Sequence, residues 1–531
     1  MRDHHIHVLT SYHRITDDNE DEPGITRALH IAWGPPYPPE DLPNMLRCES
    51  EDRRLLAAAI RNLRPDVVDV WGMEFASQSL IEALLRSGVP VHLTLEDKWF
   101  LDGHMRDSLC MMTRMATELG VEITQDIQSV CNLSSSRRTP NNESISFVSK
   151  ALSKHYTDSG FYCGHDRVRI AGINMHPFQN PTLPPEPPPF IIISTGQLTA
   201  SRGQADLIEA AARVSRNRAN RWPIAVRIIG GGNPAYITTL QRLAREHASG
   251  RLSVELIGPL PAARVAEFYA GAHLFAHTSH LPEGLPRVLM EAMAAGLPVI
   301  ATHTGGQCDI LDDGRWGTLL PPGNPKQLAL AIEDVMNHLP DRQSRARKAR
   351  QHALHYFDID HYIDNHVSDL AKATHAYGPL LCNAESFDSL DRKLPNKARM
   401  AAFANTLGNA AEYRSKSFPV ADNPDGAWSI GVTLKRTGRL AASEHLFARL
   451  YDTHPNDPVH IRRATFHLAE LAMFNKEWSR AENLLEQCLC VAPDHAKAAF
   501  DLAQSRNRHL PVHLKGLSNS GNQIKPRSRS I

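Results

Sequence analysis

Two glutamates stand with seven residues between them in Glu283-Gly284-Leu285-Pro286-Arg287-Val288-Leu289-Met290-Glu291. The Gly-Leu-Pro turn puts the first acid in a loop. Pro286 suits a helix start, and the apolar spacing behind it carries Glu291 to that helix's second turn. Both carboxylates can then face one crevice. A carboxylate accepts hydrogen bonds from hydroxyls, and the unpaired N–H groups of a helix start suit a phosphate or a polarised hydroxyl. The same residues equally suit an ordinary loop–helix–strand unit with two surface acids. Their meaning rests on what surrounds them.

The surrounding elements alternate between short apolar strands and helical spacing through about residue 375, which predicts an α/β architecture. Gly296 and Pro298 turn the chain into a buried strand, Val299-Ile300-Ala301. Earlier strands are expected at Asp66–Trp71, Val89–Leu95, Ser146–Ser149 and Val168–Ile170, with a helix over Ser79–Arg86 and a loop over Ser134–Ser144. Pro181 to Pro189 holds six prolines and reads as a stiff linker between two Rossmann-like halves.

From about Ile191 to Met336 the order of motifs resembles the donor half of the retaining, nucleotide-sugar-dependent glycosyltransferases of family 4, which have the GT-B fold. Ser194-Thr195-Gly196-Gln197-Leu198 with Arg202-Gly203 is similar to the family's first strand and phosphate loop. Val226 to Gly232 is similar to its second strand and glycine turn, and Val254 to Gly258 to the strand beside the base. Ala272 to Ser279 precedes the acid pair, and Thr304-Gly305-Gly306, Asp313-Gly314 and Gly317 to Pro321 follow it, in the family's order. The resemblance implies two Rossmann-like domains facing a cleft. It implies a donor site of Gly196, Gln197, Arg202, Ile257, Gly258, Glu283, Gly284, Leu285 and Glu291. Arg202 and Gln197 would attend the diphosphate, Glu283 with Gly284 and Leu285 the sugar hydroxyls, and Glu291 the ribose. Glu283 and Glu96 are the catalytic candidates. Neither a cofactor nor a metal is implied, and no protein nucleophile.

Three positions depart from the family's pattern. Gln197 stands where the family has a phosphate-binding Arg, and Arg202 where it has a Lys. Glu96, in Leu95-Glu96-Asp97, stands at a strand end that often reads His-Asp. Arg2 to Ser11 is similar to the family's second strand, so the first strand, its Gly-rich loop and first helix have no counterpart, and a truncated N-terminal domain is expected. Gly172-Ile173-Asn174 resembles the turn closing that half, and Tyr356–Leu370 the final helix that crosses back.

Beyond Leu370 the pattern changes. Gly431, Gly438, Phe447 and Pro455 fall at tetratricopeptide spacings, with Trp428 and Ala442 nearby. Ala469, Ala481, Leu485 and Pro493 continue that register 38 residues later. Ala496–Ser505 reads as one more helix. The expected organisation is an N-terminal acceptor-side domain at 1–178, a linker at 179–190 and a nucleotide-sugar-binding domain at 191–374. A helical connector at 375–425, repeats at 426–505 and a disordered Ser/Asn/Gly/Lys/Arg tail at 506–531 follow.

Composition excludes several classes. Lys plus Arg and Asp plus Glu both number 58, so net charge is zero and gives no electrostatic footprint for nucleic acid. No run reaches the roughly 18–20 apolar residues of a membrane span, and Met1–Arg14 is too rich in charge and histidine for a secretory signal. Eight scattered cysteines without a C-x-x-C pair read as cytosolic thiols. Asp358-Ile359-Asp360 lies in a helical segment, where a metal role is not expected, and His4, His5 and His7 lack carboxylate or thiolate partners. The expected partners are a nucleotide sugar, an acceptor glycan or lipid-linked glycan, and a protein bound through the repeats. The expected location is the cytoplasm or the inner face of the membrane. The alternative is a catalytically impaired transferase fold kept as a repeat-bearing scaffold. Another GT-B enzyme, such as an epimerase or phosphorylase, is disfavoured by the lack of a recognisable cofactor lysine.

Overall fold

The structure is a computed structural model. It describes residues 4–11, 24–29, 42–73, 87–101, 108–123, 145–159, 167–179, 186–377 and 397–492, with 80, 81, 83, 84, 125, 495, 498, 501, 502 and 505. The expected loop at 134–144, most of the proline linker and of the helices at 79–86 and 496–505, and the tail at 506–531 lie outside the described residues.

The elements run β1 (Val8–Ser11), β2 (Ile25–Leu29), α1 (Leu42–Leu63), β3 (Val68–Trp71), β4 (Val91–Leu95), α2 (Ser108–Leu119), β5 (Ile145–Phe147) and α3 (Lys150–Asp158). Next come β6 (Phe190–Thr195), α4 (Gln204–Arg216), β7 (Ile224–Ile229), α5 (Pro234–His247), β8 (Leu252–Gly258), α6 (Ala262–Ala270) and β9 (Leu274–His277). Then follow α7 (Arg287–Ala294), β10 (Val299–Thr302), α8 (Gly306–Ile310), β11 (Thr318–Leu320), α9 (Pro325–Asn337), α10 (Leu339–Tyr356) and α11 (Ile359–Tyr377). The last helices are α12 (Lys397–Ser415), α13 (Pro424–Arg436), α14 (Leu440–Thr453), α15 (Pro458–Phe474) and α16 (Trp478–Val491). An α/β chain followed by an all-helical region is thus what the sequence folds into. Chain contacts divide it into two compact units, one of residues 92–98 and 141–376, the other of 1–91, 99–140 and 377–531.

The first of these units is built on a six-stranded sheet of order β11-β10-β9-β6-β7-β8, parallel throughout. β6 is buried along its whole length, as a central parallel strand covered on both faces must be. Alternate side chains go to opposite faces. Ile192, Val226, Ile228, Leu274, Ala276 and Ile300 enter one core with Leu207, Ile208 and Ala211 of α4, Leu240 of α5 and Ile332 of α9. Ile191, Ile193, Phe275, Val299 and Ala301 enter the other with Tyr269 of α6, Leu289, Met290 and Met293 of α7, and Ala349 and Ala353 of α10. The result is a doubly wound, three-layer α/β/α sandwich. The order reverses between β6 and β9, and in open α/β sheets the carboxyl ends of the strands at such a switch point are where ligands bind.

In the same unit β4 pairs in parallel with β5. The strand expected over Ser146–Ser149 ends at Phe147 because Ser149 turns its side chain to accept from the Leu152 N–H and caps α3. Val168–Ile170 forms only a single bridge, Phe147 with Val168, and the Arg169 side chain pairs with Asp369 of α11 at 2.6 Å. Asp358 of the D-x-D accepts from the Asp360 N–H at the start of α11.

The second unit holds the parallel pair β1–β2 and the helices α12–α16. α13/α14 and α15/α16 are two helical hairpins. A Cβ on Gly431 would lie 2.8 Å from the Phe447 ring, and the Ser443 hydroxyl donates to the Gly431 carbonyl. Ala469, Ala481 and Leu485, 38 residues on from Gly431, Ser443 and Phe447, are all fully buried. The turns match as well. Gly438 has φ 80° and Lys476, at the same place in the second hairpin, φ 63°. Each is followed by the paired 5→2 and 6→1 hydrogen bonds that close a helix.

Candidate functional site

α7 is bounded as its sequence dictates. Pro286 immediately precedes it. At its far end Gly296, φ 80°, donates to the Met293 carbonyl and Leu297 to the Ala292 carbonyl, a Schellman closure. Leu289, Met290 and Met293 bury one face, which leaves Glu291 half-buried on the helix's second turn.

Three glycine turns line the ends of the strands on one side of the switch point. Gly196 after β6, Gly230 after β7 and Gly258 ending β8 all have positive φ. The Gly196 N–H donates to Ile229 and the Gly230 N–H to Gly258. A Cβ on Gly230 would lie 1.8 Å from the Gly196 carbonyl oxygen, so this rim is built on bare backbone. Ile257 and Gly258 are half-buried at its far end. Gln197 is exposed, and its carbonyl accepts from the Gln204 side chain at 2.9 Å. After the turn Ala200–Arg202, Gly203 takes φ 65°. A side chain there would run into the Thr278 carbonyl at 2.2 Å and the His280 ring at 2.8 Å. The loops after β6 and β9 are therefore packed directly on each other.

Across that contact Arg202 pairs with Glu283 Oε2, while His277 Nε2 meets Glu283 Oε1 at 2.8 Å. Burial opposes ionisation of Glu283, but the hydrogen bond and charge of His277, then those of Arg202, outweigh it and bring the carboxyl down to about 2. Glu283 is an anion at neutral pH and can only accept hydrogen bonds. Beside it His280 meets Asp206 of α4 at 2.7 Å.

Glu291 has a different setting. The Tyr269 hydroxyl donates to its Oε2 at 3.1 Å and lies 2.7 Å from the Thr195 hydroxyl. Burial raises the Glu291 carboxyl above its ordinary value, with Tyr269 and Arg287 pulling the other way. Burial, then the charge of Glu291, lifts Tyr269 far above the ordinary phenol range. Tyr269 is thus a neutral donor that fixes the Glu291 carboxylate.

The loop between the acids is clamped from two sides. A Cβ on Gly284 would lie 2.0 Å from the Glu96 carbonyl oxygen at the end of β4, and one on Gly306 would lie 2.2 Å from the Gly284 carbonyl oxygen. The Gly306 N–H donates to the Glu283 carbonyl. Glu96 itself is exposed. Leu285 packs partly into the core beneath. Behind this clamp Asp309 accepts from the Ala151 N–H at the start of α3.

The donor-site candidates from Gly196 to Leu285, with Glu96, therefore lie at the carboxyl ends of parallel strands or on the loops that follow them, and Glu291 lies on the second turn of α7. Sequence reasoning missed His277, Tyr269 and the His280–Asp206 pair. His277 left a trace as the polar end of the otherwise apolar strand Leu274-Phe275-Ala276-His277. Tyr269 left none. Among the described residues no group of three or more His, Cys, Asp or Glu is arranged to hold a metal ion. No helix among them is long and apolar enough to cross a membrane.

Residues 177–352 match the family of glycosyl transferases group 1. The chain is similar to a D-inositol 3-phosphate glycosyltransferase of Gordonia bronchialis, 29% identical over 229 residues that cover 42% of this chain and 46% of that protein. It is similar to a GDP-mannose-dependent alpha-(1-6)-phosphatidylinositol monomannoside mannosyltransferase of Mycolicibacterium smegmatis, 30% identical over 152 residues that cover 28% of this chain and 38% of that protein. The chain thus spans less than half the length of these curated relatives. Among solved structures, a sucrose-phosphate synthase of Thermosynechococcus elongatus matches with a TM-score of 0.50 at 18% identity, over 70% of this chain and 90% of that one. At that identity the likeness is one of fold. Residues 177–352 are thus similar to the group 1 glycosyl transferases, and the architecture is that of the GT-B fold.

Proposed function

We propose that this chain transfers a sugar from a nucleoside-diphosphate donor to an acceptor hydroxyl with retention of configuration, in polysaccharide or glycoconjugate synthesis. The observation that carries the reading is the Arg202–Glu283 pair spanning the switch point, with Glu291 locked on the helix that begins beside it. The name of the mannosyltransferase relative, which specifies GDP-mannose, supports a nucleotide sugar as donor.

In such a transfer, negative charge builds on the leaving diphosphate and positive charge on the anomeric carbon. The protein must present cations and N–H donors to the first and acceptors to the sugar. Arg202 serves the phosphates, with Gln197 adding neutral donors. Glu283, kept anionic, accepts from sugar hydroxyls together with the Gly284 and Leu285 backbone and favours the developing positive charge. Glu291 accepts from the ribose, held for this by Tyr269. The bare backbone at Ile257 and Gly258 flanks the base. Glu96 adds a second acid behind the Glu283 loop. The scheme calls on no metal, cofactor or covalent protein nucleophile. The two hairpins α13–α16 act as a tetratricopeptide-like module that docks a protein partner, and the enzyme works in the cytoplasm, at the inner membrane face where its acceptor is lipid-linked.

Melting of the purified chain with UDP, GDP, ADP and their sugars tests the reading. A ligand at about 100 times its dissociation constant adds roughly 2.7 kcal/mol, a shift of several degrees. One nucleotide is expected to give that shift in the wild type and to lose it in Glu291→Ala. No shift with any of them would refute the donor site.

A further inference from the structure

The two groups that hold Glu283 differ in kind. Arg202 ends a single short turn and its side chain is 31% exposed. His277 ends a buried strand whose other members are apolar, and its backbone is paired with Ala301 of β10. Because an ionised carboxylate only accepts, Nε2 is the protonated ring nitrogen and donates to Oε1. One carboxylate oxygen is thus tied to the sheet, and the other to a partly exposed arginine.

Building on the donor-site reading, we propose that His277 is the positioning residue for Glu283. It fixes one carboxylate oxygen from within the sheet, so that when a nucleotide sugar draws Arg202 toward its phosphates the second oxygen meets the sugar in a set direction. Glu283 needs such an anchor. It sits in a Gly/Pro loop with three rotatable side-chain bonds, and a polar contact is effective only when its direction is fixed before the ligand arrives. Geometry and electrostatics agree, since His277 leads the influences that offset the cost of burying the charge.

A double-mutant cycle tests this. The affinities of GDP-mannose and UDP-glucose, beside GDP and UDP alone, are measured by calorimetry for wild type, His277→Leu, His277→Gln, Glu283→Gln and the His277→Leu/Glu283→Gln double variant. One charge-assisted hydrogen bond corresponds to about a tenfold change. His277→Leu is expected to weaken the sugar nucleotide about tenfold while leaving the bare diphosphate within about twofold, which also reports an intact fold. His277→Gln, which keeps a donor, restores part of the loss. In the Glu283→Gln background His277→Leu costs nothing more. Losses that multiply, or equal weakening of nucleotide and nucleotide sugar, would overturn the inference. A wild type that binds none of the four ligands would instead overturn the donor-site reading, and the inference with it.

Discussion

The molecule contains the same trio twice, a glutamate held by a histidine and a cation. At the sheet edge Glu283 lies between His277 and Arg202. In the helical hairpins Glu470 of α15 lies between His467 and Lys435 of α13. What differs is access. The Glu283 and Arg202 side chains keep 15% and 31% of their surface, whereas Glu470 and Lys435 keep 1% and 6%. A trio sealed between helices joins α13 to α15 and has no room for a ligand. A trio on the carboxyl rim of a parallel sheet leaves its cation able to exchange partners. Similar chemistry thus serves packing in one place and, on the reading proposed above, recognition in the other, with solvent access as the difference between them.

The largest effect is expected from breaking the sealed trio. Glu470→Ala strips the compensating charge from Lys435 and from its buried neighbour Arg436, whose guanidinium burial already brings down to about 10. Removing one member of a buried pair costs about 3–5 kcal/mol, to be read from the urea midpoint of the chain.

A smaller effect, with a defined pH signature, is expected from the open trio. Glu283 titrates at about 2 in the fold against an ordinary 4.5. A depressed acid contributes its stabilisation in full above pH 4.5 and loses it as pH falls toward 2. Urea midpoints of wild type and Glu283→Gln should therefore differ by a constant amount between pH 5 and 7 and converge below pH 4.5. A difference that grows on acidification would reverse the assignment.

The smallest effect concerns the matching helix turns. Lys476 occupies with φ 63° the place that Gly438 fills in the first hairpin. A side chain in that conformation costs about 1 kcal/mol or more, so Lys476→Gly is expected to stabilise the chain by up to about 1 kcal/mol. An unchanged or lowered melting temperature would show that the two hairpins are not equivalent there.

Much of the site was legible because its logic is local. A glycine required by positive φ, a Pro-started helix with an acid on its second turn, and a fully apolar strand each write their cause within a few residues. The arginine–glutamate pairing was not legible, since Arg202 and Glu283 meet only where the sheet order reverses. Tyr269 was invisible for the same reason, because its hydroxyl joins Thr195 of β6 to Glu291 of α7 across the whole domain. The strand end at Phe147 was missed for a local cause, a Ser149 cap hidden inside an apolar run. The helical trio escaped notice because its three members stand on two helices more than thirty residues apart in sequence.

Calorimetric binding of a nucleoside diphosphate and of the corresponding nucleotide sugar to wild type and Glu283→Gln tests the central claim most directly. The wild type should bind the nucleotide sugar more tightly than the bare diphosphate, and Glu283→Gln should lose that margin, about 10- to 100-fold for a charge-assisted contact. Diphosphate affinity should stay nearly unchanged. Binding by the wild type that is indifferent to Glu283, or no binding at all, would contradict the account.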